Sequence, residues 1–410
     1  MAVVLLVGTL DTKAAEYAWL RERLREHGVG TCMMDVGSFS RSPLADVTSD
    51  EVIVAAGEDP EELRAAHDRG RSMATMARGA AVLARSMAEE GRIEGLLGVG
   101  GSGGSSVVGA VMQALPIGLP KLLVSTMASG DVKPYVGDVD ATIMYSVVDI
   151  AGVNGVSAPI LGNACAGIAA MARAHEQRRG RAEGPRRGPV VAITMFGLTT
   201  PAADETRERL DELGYEVLVF HATGAGGRAM EKLVESGLVT GVLDLTTTEL
   251  ADELVGGVLS AGPHRLERAG AMGVPQVVSL GALDMVNFGP RDTVPERFSG
   301  RTFLVHNPTV TLMRTTPDEM AELGRRIACK LAASRGPVQL HIPLRGLSGI
   351  DVEGGPFRDE DADERLFDAL REGLAGSDVV VVEKDQTIND PGFGRDMAEA
   401  LDELIKNSEH

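Results

Sequence analysis

The chain has 410 residues, of which 44% are hydrophobic and 24% charged, with a net charge of −19 at pH 7. That balance is the balance of a globular protein too long for one ordinary core, so two domains are expected. The acidic surplus excludes a general nucleic-acid or membrane-surface binder and leaves room only for a local basic pocket.

Cys32, Cys165 and Cys329 are far apart and odd in number, so neither a disulfide framework nor a thiolate metal site is indicated, and a reducing, cytoplasmic setting fits. The apolar start at Met1 lacks a cationic leader, and the apolar stretch 158–172 is broken by Gly162, Asn163 and Gly167. Neither reads as a membrane segment.

Val3 to Val7 reads as a strand buried on both faces of a parallel sheet, bounded by Gly8. Thr9-Leu10-Asp11-Thr12-Lys13 then opens a helix that ends at Gly28. This loop carries two hydroxyls, a carboxylate and one of seven lysines at the edge where open parallel sheets bind ligands. For Asp11 and Thr12, helix capping is as good an account as ligand contact. Thr31 to Val36 is the second strand, and Asp35 near its end either meets a ribose hydroxyl or starts a turn. Residues 37 to 50 are polar and irregular, a loop over the site. Asp59-Pro60-Glu61-Glu62 starts a long helical stretch that runs to Gly91.

Ile93 to Leu97 leads into Gly98-Val99-Gly100-Gly101-Ser102-Gly103-Gly104-Ser105-Ser106 and then a helix. Glycines let a backbone approach a phosphate, and a helix start offers unpaired N–H groups and a positive dipole end. Gly98, Gly100 and Gly103 satisfy the dinucleotide spacing, but the next strand, Lys121 to Val124, ends in Ser125 and Thr126 rather than an acid, which weakens a nicotinamide dinucleotide reading. No Gly-Lys pair occurs, so the other nucleotide loop is absent. A further strand spans 141 to 147.

His175 to Pro189 is Arg-rich and punctuated by Gly and Pro, a linker. The domains are thus 1–178 and 190–410, with 179–189 between them. After it the plan restarts. Val190 to Thr200 repeats Val3 to Thr12, Gly214 to Phe220 repeats Gly28 to Asp35, and Gly227 to Thr247 mirrors Gly70 to Gly101. Gly273-Val274-Pro275 mirrors Gly118-Leu119-Pro120, and Arg301 to His306 mirrors Ala141 to Ser146. Five matched elements predict two related layers of parallel βα units. The glycine loop is not repeated, its counterpart being Leu245-Thr246-Thr247-Thr248-Glu249, so one phosphate site is expected. Strands at Val338 to Ile342 and Asp378 to Val382 give the second half about seven βα units, which points toward either an open sheet or a barrel. Ile388-Asn389-Asp390-Pro391 is divided evenly between a functional loop and a plain turn.

Together, Gly8 to Lys13, Gly98 to Gly104 and Ile388 to Pro391 closely resemble a family of bacterial, fungal and plant proteins. They are similar to the ATP-binding N-terminal region of the tomato protein that inhibits tomato mosaic virus RNA replication. The resemblance implies an ATP-binding protein with a Rossmann-like N-terminal domain and a barrel-like C-terminal domain, associating as a homodimer. The small-residue-rich apolar helix near 158–172 is a second motive for the dimer. The resemblance and the residues together make Gly8, Thr9, Asp11, Thr12, Lys13, Asp35, Gly100, Gly101, Ser102, Gly103, Gly104, Ser125 and Thr126 the nucleotide contacts. Mg2+ would be held mainly by the nucleotide phosphates, with Asp11 the protein ligand. No H-x-x-x-H or H-E-x-x-H pair suggests a zinc site, and no catalytic residue stands out. His221 and His306 end strands, where a satisfied structural histidine is the commoner case. Two functions are open: ATP used on a small metabolite between the halves, or a non-enzymatic regulator whose partner-binding face ATP orders.

Overall fold

The computed structural model describes residues 1–179 and 188–408. The chain divides into two compact units, 1–184 and 185–410.

In the first unit, β1 (Val3–Gly8), β2 (Gly30–Asp35), β3 (Gly95–Gly100), β4 (Lys121–Ser125) and β5 (Thr142–Tyr145) form one sheet in the order β2-β1-β3-β4-β5. Every pairing is parallel. Alternation decides the packing. Val4 and Leu6 pack with Leu20, Leu24, Ile168 and Ala172 on one face, whereas Leu5 and Val7 pack with Met76, Ala80, Val108 and Met112 on the other. All these strand residues are buried, the usual state of a parallel sheet covered by helices on both sides. The helix Ser157–Arg178 spends its apolar side, Leu161, Ala164, Ile168, Ala169 and Ala172, on this sheet. It therefore gives no motive for a dimer. It also absorbs His175 to Arg178 from the stretch read as linker, and residues 180–187 lie outside the described residues.

Tyr17, fully buried in the helix Leu10–Glu26, joins the first and third strands. Its hydroxyl donates to the Val7 carbonyl and accepts from the Val99 N–H at 2.8 Å. A Cβ on Gly8 would lie 2.0 Å from the Tyr17 ring, so that glycine makes room for the tyrosine.

The second unit holds β6 (Val190–Met195), β7 (Glu216–His221), β8 (Gly241–Thr246), β9 (Gln276–Gly281), β10 (Met285–Phe288), β11 (Phe303–Asn307), β12 (Val310–Arg314), β13 (Val338–Pro343) and β14 (Val380–Lys384). Six of them form a parallel sheet ordered β14-β13-β9-β8-β6-β7. Among the described residues β7 and β14 pair on one side only, so the sheet is open and not a barrel. The order β7-β6-β8-β9 repeats β2-β1-β3-β4, and there the repeat stops. The fifth place is taken by β13, while the expected counterpart, Arg301 to His306, falls on β11 of a separate antiparallel sheet, β10-β12-β11. No described helix is long and apolar enough to cross a membrane.

Candidate ligand cleft of the N-terminal unit

The parallel register brings the ends of β1 to β4 to one edge: Gly8 pairs with Asp35, and Gly100 with Ser125. The loops leaving this edge enclose a cleft of about 490 Å3, lined by Thr9, Asp11, Thr12, Lys13, Gly101, Ser102, Gly103 and Gly104. Eight of the residues singled out by sequence thus meet in one place.

Each loop has its own reason for its shape. After Thr9 the helix Leu10–Glu26 begins with no side-chain cap and kinks at Lys13, whose φ of −132° and ψ of 25° are not helical. The Lys13 ammonium donates to the Ile150 carbonyl, and the Thr9 and Thr12 hydroxyls lie 3.0 Å apart. The Asp11 carboxyl lies where a Cβ on Gly37 would stand, 2.6 Å from its Cγ. Burial, and then the charge of Asp35, raise the Asp11 pKa above the ordinary aspartate range.

On the facing loop, Gly101 is the N-cap of the helix Ser102–Ala114 and supplies no side-chain cap. The first N–H groups of a helix have no intrahelical partner, and without a cap they face outward with the dipole's positive end. Gly101, Gly103 and Gly104 have no positive φ. A Cβ on them would meet nothing closer than 3.4 Å. The neighbouring glycines differ: a Cβ on Gly98 would stand 2.4 Å from Val108, and one on Gly100 would stand 3.1 Å from the Gly104 Cα.

Five predicted contacts do not line the cleft. Gly8 and Gly100 serve packing. Asp35, buried, accepts from the N–H groups of Leu10 at 3.1 Å and Gly37 at 3.0 Å through one oxygen, fixing both loops from beneath. Its other oxygen is buried without a partner, as is the Ser40 hydroxyl, and both residues border a smaller cavity of about 190 Å3. Ser125 is buried with its hydroxyl 2.6 Å from that of Ser105, and Thr126 donates its N–H to the Gly100 carbonyl.

The other wall is Val36, Gly37, Ser38, Phe39, His67, Arg69, Ser72 and Met73; residues 37–39 belong to the loop expected over the site, whereas His67 to Met73 were missed. The helical stretch expected over 59–91 is two helices, Pro60–Ala65 and Arg69–Glu89, separated where His67 takes a φ of +50°. The break turns the start of the second helix toward the cleft. Its N-cap, Asp68, accepts from the Arg71 N–H at 3.0 Å, and the Arg69 side chain forms no hydrogen bond or ion pair among the described residues. The one signal for this wall was the Asp68 cap inside an otherwise helical pattern.

The other sequence candidates lie in the second unit. Asn389 donates to the Leu198 carbonyl at 2.9 Å and Asp390 accepts from the Thr387 N–H at 2.8 Å, so Asn-Asp-Pro is a structural turn. His221 is exposed with its ring 5.6 Å from that of Phe196, and His306 is exposed. Among the described residues no group of three or more His, Cys, Asp or Glu could hold a metal ion.

Residues 2–177 match the N-terminal domain, and residues 188–405 the C-terminal domain, of an uncharacterised protein family, UPF0261. A UPF0261 protein of Clostridium tetani is 46% identical over 404 residues, 98% of this chain and 99% of that protein. The tomato (Solanum lycopersicum) ToMV resistance protein Tm-1(GCR237) is 37% identical over 99% of this chain, which corresponds to 56% of the tomato protein. Among solved structures, a UDP-N-acetylglucosamine 2-epimerase from Rickettsia bellii overlaps 99% of this chain and 95% of its own at 9% identity and a TM-score of 0.22.

Proposed function

We propose, for a chain that belongs to the UPF0261 family, that the N-terminal cleft binds ATP, with its phosphates on the Gly101–Gly104 backbone and the Thr9–Lys13 loop facing them. The observation that carries this reading is that Gly101, Gly103 and Gly104 are glycines the fold does not require. Neither positive φ nor a neighbour inside 3.4 Å accounts for them. A missing side chain beside bare helix N–H groups leaves room for an anion to approach the backbone. Lys13 and Arg69 add positive charge on the same cleft.

The donor set fits Mg2+ only as nucleotide-bound Mg2+. Asp11 offers one carboxylate on the cleft, and a single carboxylate plus phosphate oxygens and water is the usual shell of this ion. The tomato relative's resistance to a virus is favoured as a parallel by one feature, the exposed Met127 and Val147 on the loops after β4 and β5 with Tyr145 at the end of β5, a face that ATP binding at the same edge would order. Turnover separates that regulatory reading from ATP-dependent action on a small metabolite: purified protein given ATP and a metabolite panel releases ADP or AMP only in the second case. The homodimer is tested by light scattering at micromolar concentration.

The binding reading itself is tested by calorimetric titration of the wild type and Gly103→Val with ATP. The expected result is measurable binding by the wild type and its loss in a folded variant. Unchanged affinity in the variant would mean the glycine loop is packing.

A further inference from the structure

We propose that the cleft also contains the subsite for the base, a stacking platform made by Phe39 and His67. This inference rests on the reading of the cleft as a nucleotide site and extends it to the ring end of the ligand. Phe39 is 55% exposed, the sole phenylalanine among the exposed large apolar side chains of the described residues. Its ring lies nearly parallel to that of His67, with centroids 6.1 Å apart and planes 15° from each other. Both residues line the same cleft as the glycine loop.

The way His67 is held makes the arrangement more than a chance contact. Its φ of +50° lies in the left-handed region that side chains other than glycine seldom adopt. It occupies the break between the helices Pro60–Ala65 and Arg69–Glu89, two residues before Arg69. The same turn therefore places an aromatic ring and a cation on the cleft. Backbone strain of this kind persists where surrounding structure enforces it, and clusters at ligand sites. In a chain with only 3% aromatic residues, a water-facing phenyl ring stacked on an imidazole is a costly surface to leave uncovered.

A nucleotide offers what this juxtaposition takes: a polyanion for bare helix N–H groups and a flat heteroaromatic ring for an aromatic face. The cleft volume of about 490 Å3 falls within the usual range of small-molecule sites, roughly 300–1,000 Å3. Stacking is tolerant of base identity because every base has a π-face, so the platform supplies affinity and orientation rather than a hydrogen-bond code.

The test compares ATP with inorganic tripolyphosphate, using the full chain and calorimetry. Three variants suffice: Phe39→Leu, which keeps an apolar side chain but no ring; Phe39→Tyr, which keeps the ring; and His67→Asn, which tolerates the left-handed backbone. Melting curves confirm that each is folded. Expected is a loss of ATP affinity in Phe39→Leu of roughly 5- to 150-fold, with a smaller loss in His67→Asn, retention in Phe39→Tyr, and tripolyphosphate affinity unchanged throughout. If Phe39→Leu binds ATP as the wild type does while tripolyphosphate still binds, the platform is not the base site and the phosphate reading stands. If the wild type binds neither ATP nor tripolyphosphate, the nucleotide reading fails and the platform with it.

Discussion

The third strand of each sheet core, β3 in one unit and β8 in the other, runs into a loop and helix at the same topological place, yet the two loops are opposites. In the first unit the loop is Gly101-Ser102-Gly103-Gly104 and the helix start is bare. In the second it is Thr246-Thr247-Thr248-Glu249, all buried. There the Thr246 hydroxyl is 2.7 Å from that of Thr199, and Thr247 donates to the Ser279 carbonyl. Glu249 accepts from the N–H groups of Gly224 at 2.6 Å and Gly227 at 3.1 Å, at the start of the helix Ala225–Glu235. Its other oxygen takes the Arg265 Nε at 2.6 Å, and Arg265 turns its remaining nitrogens to Asp244. Neither helix start after these strands carries a side-chain cap, so the difference lies in the loops: the second unit fills the edge with buried side chains and sends its carboxylate to the neighbouring helix start at Ala225–Glu235, whereas the first unit's loop carries three glycines and a serine. A shared fold position is thus not a site; the side chains that occupy it decide.

Gly227 makes the contrast sharper. A Cβ there would stand 2.1 Å from the Glu249 carboxylate, so this glycine makes way for an internal anion. Gly103 and Gly104 make way for nothing inside the protein.

The largest effect should come from breaking the internal plug. Glu249→Ala leaves Arg265 buried without one of its carboxylates and two helix N–H groups without an acceptor, and thermal melting should report a loss of about 3–5 kcal/mol. Next in size is a pH effect confined to the second unit's interior. Burial chiefly, and then the charge of Asp351, raise Asp284 to about 7 and Asp363 to about 8. Between about pH 4 and 8 the native state keeps protons that the unfolded chain, with ordinary carboxyls, has released. Stability should therefore fall as pH rises through that window, by up to about 1.4 kcal/mol per pH unit for each retained proton. Chemical denaturation across pH 5 to 8 checks the sign, and Asp284→Asn should flatten the slope.

Smaller changes separate the two kinds of glycine in the first unit. Gly8→Ala drives a methyl group into the Tyr17 ring and should lower stability by about 1–3 kcal/mol. Lys13→Ala and Arg69→Ala should each weaken ATP binding by about 1–3 kcal/mol, less at high salt, with melting nearly unchanged. The least effect on the fold, and the most informative sign, belongs to Gly104→Ala. Alanine is the better helix residue by about 0.5–1 kcal/mol, so the variant should melt slightly higher while binding ATP more weakly. Improved melting with unchanged binding would erase the distinction between the two loops.

Much of this was legible in the sequence because parallel strands are short apolar runs whose ends carry the polar loops. That repetition predicted that the first four strands of the two units would match, while their order within each sheet came only from the structure. The fifth did not: Arg301 to His306 has the composition of a strand but pairs antiparallel with β12, and pairing direction leaves no mark in a single short run. The cleft's glycine and Thr9–Lys13 walls were readable as loop chemistry. The His67 to Met73 part of the other wall was not, because helical periodicity continues across 66–68, where the backbone breaks at His67. Asp35 and Ser125 were misplaced for a related reason: strand-end polar groups look alike in sequence whether they face a ligand or hold a neighbouring N–H.

Tyr17 remains. Its hydroxyl joins Val7 and Val99, the penultimate residues of the two strands from which both ligand loops depart, so those loops share one anchor. A guest entering the cleft then meets a receptor whose shape is set beforehand, and little ordering entropy is lost on capture. Adjustment falls to the Phe39 segment and to side chains. Association should accordingly proceed in a single kinetic phase, its rate proportional to nucleotide concentration, with no slow isomerisation behind it.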